Sequence, residues 1–290
     1  MLTILLTGVG GPAGQSLARL LIHRGYQVIG VDMREVEPDG YSFGLVPPAR
    51  DPLFLPRLQE IAQFHQVGLL IPTVTEELPV IAEGWQCCSA IPSVGSSLKA
   101  VQIANDKYLT MQCLSASEVP VPRYALPSEV HSAEEVEYRI GWPCISKPRQ
   151  GRGGRGVALR IRADWPALAA LGDDQILQEF APGIDYAPNV FIGTGTFQSF
   201  AVVLEKTELK EGIVGNARSV RRIDDPQCRD DIAAVAIAAA KAAGLVGPQD
   251  VDIRRLPDGR PVVLEINARF GANIASAPEV LDATLKSFGV

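Results

Sequence analysis

A loop of glycines set among cations is the first place in this chain where chemistry could happen. From Ile145 to Ala163 the sequence carries Lys147, Arg149, Arg152, Arg155, Arg160 and Arg162 and no acidic residue. The loop Gly151-Arg-Gly-Gly-Arg-Gly156 lies between a predicted strand reaching Lys147 and another that alternates Val157, Leu159 and Ile161. Backbone amides of such a loop can wrap a polyphosphate while a lysine neutralises it. It is not a Walker A loop, because no Gly-Lys-Ser/Thr leads into a helix. An arginine-glycine box for RNA is one rival reading, but such boxes repeat in disordered tails, whereas this one is single and lies between strands. A solvated basic hairpin without function is the other.

The last predicted hairpin carries the second set of reactive groups. Val251 to Arg255 and Pro261 to Asn267 read as strands joined through Leu256-Pro-Asp-Gly259. A turn centred on Asp258-Gly259 sets Asp252 opposite Glu265, with Asn267 two residues along on the same face. Two carboxylates with Cβ atoms about 5 Å apart repel unless a cation lies between them. The run Val262-Val-Leu-Glu-Ile266 argues partial burial, which makes an unpaired charge costlier still. Hard oxygen ligands of this kind suit magnesium; protonation of one acid, a side chain turned to solvent or a different register would remove the site. Arg269 and Gly271 follow at once, and a planar cationic fork beside a metal suits a phosphate in transfer.

A second glycine-rich turn, Thr7-Gly-Val-Gly-Gly-Pro-Ala-Gly14, opens a helix after a strand, and Asp32 ends the next strand. That arrangement fits a dinucleotide site, with pyrophosphate at the helix N-terminus and an acid on the ribose. The same glycines also serve any tight strand-to-helix turn.

The elements that must position these groups fall into two patterns. Residues 3 to 93 alternate short apolar runs with helical periods: strands at Thr3 to Thr7, Val28 to Asp32, Val67 to Ile71 and Ala90 to Val94, with helices between them, the last at Thr75 to Gly84. Strand alternating with helix predicts a doubly wound parallel sheet. After residue 95, helices at Ser97 to Asn105 and Lys107 to Ser115 lead into Val119-Pro-Val-Pro. Antiparallel strands at Tyr186 to Ile192 and Phe197 to Leu204 and a helix at Asp231 to Ala243 follow. Composition agrees with a folded chain of about two domains: 290 residues, 47% hydrophobic and 21% charged, with 27 glycines and 22 prolines for turns. A net charge of −6 argues against nucleic acid as partner. Five cysteines without a C-x-x-C pair argue against a disulfide framework or a zinc ribbon, and three scattered histidines against H-E-x-x-H metalloenzymes and most histidine-based triads. No signal peptide or membrane-spanning run is evident, so the expectation is a cytoplasmic protein that meets no membrane.

At this point the residues resemble the ATP-grasp superfamily, in particular its carbamoyl-phosphate-synthase-large-chain-like ligases. The resemblance runs through Asp106-Lys107, Val119-Pro-Val-Pro, Lys147-Pro with the glycine loop, Gln178-Glu-Phe-Ala-Pro-Gly-Ile-Asp-Tyr186, Asp252 and Leu264-Glu-Ile-Asn-Ala-Arg-Phe-Gly271. It implies an α/β and α+β protein: a doubly wound pre-ATP-grasp domain (1–95), then an ATP-grasp lobe with the glycine-rich loop (96–175) and one with the metal site (176–290). It also implies that Lys107 and Lys147 meet ATP phosphates and that Gly151, Gly153, Gly154 and Gly156 cover them. Gln178, Glu179, Phe180 and Ala181 would form the adenine hinge, Asp185 would sit near the ribose, and Asp252, Glu265 and Asn267 would hold magnesium, two ions in all and replaceable by manganese. Arg269 would act at the γ-phosphate and acyl phosphate, and Lys210 would reach phosphate from the substrate-side loop. The first domain would then bind substrate rather than a dinucleotide.

Two departures stand out. Ala268 replaces a common proline, and Arg155 fills a loop position usually small or polar, which suits an anionic substrate. Glu76 and Glu77 are candidates for a substrate amino group, although capping by Thr75 accounts for part of that segment. The implied reaction joins a small-molecule carboxylate to an amine through an acyl phosphate, releasing ADP and phosphate; a homodimer is allowed. A phosphotransferase without ligation, an ATP-sensing scaffold and an NAD(P)-dependent oxidoreductase are the alternatives. The chain ends 23 residues after Asn267, which suggests a compact stand-alone ligase lacking the second half of the large synthases.

Overall fold

The structure, a computed structural model, describes residues 2–151, 153–211 and 214–290, with the side chains of residues 210, 211 and 214–216 outside that description. Its first sheet is parallel, with strands in the order Ser42–Leu45, Gln27–Asp32, Thr3–Thr7 and Leu69–Ile71. Thr3–Thr7 is buried along its whole length, as a central parallel strand covered on both faces must be. The sequence does not announce Ser42–Leu45, a four-residue strand among glycines and prolines. The expected strand at Ala90 to Val94 shrinks to one parallel bridge between Leu70 and Ser93, because Pro92 has no amide to donate.

A second, antiparallel sheet runs Tyr124–Ala125, Gln175–Glu179, Cys144–Pro148 and Ala158–Arg160. The third has seven strands and contains Asn189–Ile192, Gly247–Arg255, Asp185–Tyr186, the hairpin Leu204–Glu211 with Val214–Arg222, and Pro261–Asn267 beside Gly247–Arg255. The expected strand Tyr186 to Ile192 is split, since Pro188 interrupts it. The alanine-rich helix begins at Pro226, not Asp231: Asp225 accepts from the Gln227 amide and Pro226 takes the first helical position.

The first sheet is not free to drift from the third. Ile4, Leu6 and Leu17 share one buried cluster with Phe191, Phe270 and Leu281, the last on the helix Pro278–Ser287. Among the described residues, no helix is long and apolar enough to cross a membrane. All five cysteines are free thiols. Burial pushes the Cys144 thiol up to about 12, while Cys87 and Cys228 are exposed. At about pH 8 a thiol reagent should therefore label Cys87 and Cys228 in the native protein and reach Cys144 only after unfolding. Mass spectrometry of labelled peptides checks this, and native labelling of Cys144 would contradict it.

Candidate active site

Asp106 explains why Lys107 stands where it does. Its carboxylate caps the helix Lys107–Ala116 by accepting from the Tyr108 and Leu109 amides, and it pairs with Arg149 at 2.6 Å. The Lys107 amide donates to the Arg149 carbonyl at 3.0 Å, so the helix start is tied to the stem of the glycine loop. Lys107 Nζ then lies 3.2 Å from Glu265 Oε2 and 3.2 Å from the Gly151 carbonyl. Lys147 arrives from the strand Cys144–Pro148 and donates to the Leu264 carbonyl at 3.2 Å. Burial pushes its ammonium down to about 8 against the pull of Glu265.

The loop between the strands Cys144–Pro148 and Ala158–Arg160 needs its glycines. Gly153, Gly154 and Gly156 have φ of 70°, 73° and 75°, left-handed backbone that side chains resist. Arg152 lies outside the described residues. With Lys107 and Lys147, Gly151, Gly153, Gly154 and Arg155 line a cavity of about 850 Å³ including its open mouth, whose far wall is Gln178, Glu179, Phe180, Ala181 and Asp185; Gly156 is not part of its lining. Gln178 is buried and turns its side chain to Met111, while Glu179 is held by the Arg123 amide and guanidinium. That segment therefore offers the cavity its backbone more than its side chains.

Asp252 and Glu265 are cross-strand partners, and Asn267 faces Asp250. Near the turn the pairing runs one residue out of the expected register, with Ile253 opposite Val263. A β-bulge at Leu264 restores it, and the bulged residue is the one whose carbonyl meets Lys147. Burial pushes Asp252 up to about 7 in spite of Lys206, with Glu265 and Asp250 adding repulsion. Burial also acts to raise Glu265, but Lys107 and Lys147 outweigh it and hold that carboxyl down at about 2. Two facing acids in a buried setting, with an amide oxygen on the same strand, fit a divalent cation with oxygen ligands. Among the described residues no cluster of three or more His, Cys, Asp or Glu side chains is arranged to hold a metal.

Arg269 sits beside this set. It donates to Asn267 Oδ1 at 3.0 Å and to the Phe270 carbonyl at 2.8 Å, and lies 3.5 Å from Asp250. Asp250 has room only because residue 271 is glycine: a Cβ there would lie 2.5 Å from the Asp250 carboxyl carbon.

Two cations that the sequence motifs do not single out complete the site. Arg254 grips Asp185 Oδ2 with two nitrogens, at 3.0 and 2.8 Å. Lys206, on the strand Leu204–Glu211, lies 2.6 Å from Asp252 and 3.2 Å from Asp185. Alternation from the fully buried Leu204 puts Lys206 on the inward face, a signal the charge-rich stretch Glu205 to Glu211 obscures. Lys210 is on the same strand, but its side chain lies outside the described residues.

A second cavity, of about 1990 Å³ including its open mouth, meets the first along Gly153, Arg155, Lys206, Asp252 and Glu265. Its other wall is formed by residues of the glycine turn Thr7 to Gly14 with Asp32, Arg34, Glu35 and Glu77. Asp32 accepts from the Gly10 and Arg34 amides, so its carboxylate is engaged by its own turn. Glu77 is buried and bonded to the Thr7 hydroxyl. Glu76 lines a separate cavity, and Thr75 does not cap the helix Leu78–Cys88, whose N-cap residue is Glu77 and which has no side-chain cap.

Comparison with known proteins agrees with this geometry. The family described as ATP-grasp domain matches residues 104–273. Cyanophycin synthetase of Trichormus variabilis is 30% identical over 131 residues, which is 43% of this chain and 14% of that protein. The chain thus spans only a small part of that relative's length. D-Alanine–D-alanine ligase of Gloeobacter violaceus is 27% identical over 207 residues, 67% of this chain and 68% of that protein. Among solved structures, N5-carboxyaminoimidazole synthetase of Staphylococcus aureus complexed with ADP superposes with a TM-score of 0.72 at 16% identity, covering 99% of this chain and 77% of that one.

Proposed function

This chain belongs to the ATP-grasp family, and from that premise we propose that it activates a small-molecule carboxylate with ATP and joins it to an amine. The observation that carries the reading is the meeting of the two cavities along Lys206, Asp252 and Glu265, where a nucleotide's terminal phosphate and a second substrate can share one wall. In this reading Lys107 and Lys147 neutralise the phosphates, the glycine loop covers them, Gln178 to Ala181 border the adenine, and Asp185 lies toward the ribose. Asp252, Glu265 and Asn267 hold magnesium, one ion or two, with manganese as a substitute. Bound there, the metal supplies Lewis-acid neutralisation of phosphate charge.

A carboxylate oxygen bonds to the γ-phosphorus as the bond to the bridging oxygen breaks, leaving ADP and an acyl phosphate. The amine lone pair then adds to the acyl carbon, the carbon–oxygen bond to phosphate breaks, and the nitrogen gives up a proton to solvent. Arg269 faces the charge that gathers on the transferring group in both steps. Positioning and charge neutralisation carry such a reaction without a strong protein base.

The relative named D-alanine–D-alanine ligase has an amino acid on each side of its name, so amino acids of both hands are the first acids and amines to try. Purified protein with Mg-ATP should release ADP and phosphate only when acid and amine are both present. Chromatography of nucleotides and colorimetric phosphate assay read the outcome. Release of AMP and pyrophosphate, or a stable phosphorylated product made without an amine, would overturn the ligase reading.

A further inference from the structure

Lys206 is a cation in a place where a second cation must come. Its Nζ is 2.6 Å from Asp252 and 3.2 Å from Asp185, and only 8% of its side chain is exposed. Two carboxylates therefore already have this cation as their buried partner. An ammonium in contact with a carboxylate oxygen and a divalent ion on that oxygen repel strongly at low local dielectric. The two occupants of Asp252 therefore compete. Asp185 makes the exchange inexpensive, because Arg254 keeps hold of it through two hydrogen bonds whether Lys206 stays or leaves.

We propose that Lys206 is an internal counter-ion that guards Asp252 and makes metal binding conditional on nucleotide. It rests on the nucleotide reading given above. Before nucleotide arrives, Lys206 neutralises Asp252 and Lys107 neutralises Glu265, so a free divalent ion finds both carboxylates taken. Phosphate oxygens supply the ammonium with another partner and open Asp252 to the metal. Linkage is reciprocal: whatever factor nucleotide adds to metal affinity, metal adds to nucleotide affinity.

Manganese binding to the full chain, followed by loss of the free-ion electron paramagnetic resonance signal, tests this without any turnover. Wild type should bind Mn²⁺ weakly alone and at least about ten-fold more tightly with ADP, an ordinary size for coupling between ligands. Lys206→Met should bind Mn²⁺ without ADP about ten-fold more tightly than wild type and lose most of the coupling, whereas Lys206→Arg should keep it. Circular dichroism establishes that each variant is folded. If Lys206→Met does not fold, the wild type alone decides: tight Mn²⁺ binding without ADP that Glu265→Gln abolishes overturns the proposal. Unchanged nucleotide-free affinity in a folded Lys206→Met overturns the role of Lys206 alone. Failure of wild type to bind Mn²⁺ with ADP at all overturns the nucleotide reading, and this inference with it.

Discussion

Glu265→Gln should cost at least about a thousand-fold in acid- and amine-dependent ADP release, equivalent to about 4 kcal/mol of barrier, while leaving the protein folded. Glutamine keeps the shape and one oxygen but removes the charge that makes Glu265 and Asp252 a pair able to hold a divalent ion. Stability should fall at neutral pH without loss of the fold, because Lys107 and Lys147 outweigh burial and hold Glu265 charged in the folded protein, and glutamine removes that net favourable charge. Both lysines keep carbonyl partners, Gly151 for Lys107 and Leu264 for Lys147. Rates with a productive acid and amine pair, and thermal melts by circular dichroism, separate the two effects. A variant retaining more than about a tenth of wild-type rate would remove Glu265 from the metal site, since a lost ligand should cost far more.

The same residue shows how far the sequence can be read. That Asp252 faces Glu265 follows from a turn at Asp258-Gly259 and a period of two. The hairpin reaches that pairing by another route: its turn end is one residue off the expected register, and the bulge at Leu264 absorbs the difference. Strand periodicity shows which residues share a face, but not where a backbone slips by one. The parallel sheet was legible because Thr3 to Thr7 and Gln27 to Asp32 are buried runs separated by a helix of regular period. Ser42–Leu45 was not, since four residues hold too little pattern.

Lys206 and Arg254 were hidden for a different reason. Each sits in a strand where charge is common, and a strand-borne cation becomes a site residue only when distant carboxylates close on it. Asp185 lies 21 residues before Lys206 and Asp252 lies 46 after it, a juxtaposition that neither local spacing nor hydrophobic pattern reports. Arg149 is the opposite case. Its pairing with Asp106 places the Asp106-Lys107 dipeptide against the glycine loop, so a two-residue motif has a structural cause as well as a chemical one.

Arg269→Lys should lower kcat by about a hundred- to a thousand-fold, the usual cost of removing a donor aimed at developing charge, and should leave the affinity for Mn-ADP nearly unchanged. Lysine preserves the charge but not the fork. The guanidinium reaches Asn267 Oδ1 and the Phe270 carbonyl while keeping Asp250 within 3.5 Å, and an ammonium at the end of a flexible stem cannot hold these directions together. Asp250 sharpens the test. Its carboxylate is accommodated only because Gly271 has no side chain, so the wall behind Arg269 is shaped for this ion pair. Because Arg269 lines the second cavity and not the nucleotide cavity, its loss should be felt in the chemical steps more than in nucleotide binding. Steady-state rates beside calorimetric titration with Mn-ADP give both quantities. Equal losses in kcat and in nucleotide affinity would reduce Arg269 to a structural prop, and a lysine variant with wild-type kcat would remove it from the reaction.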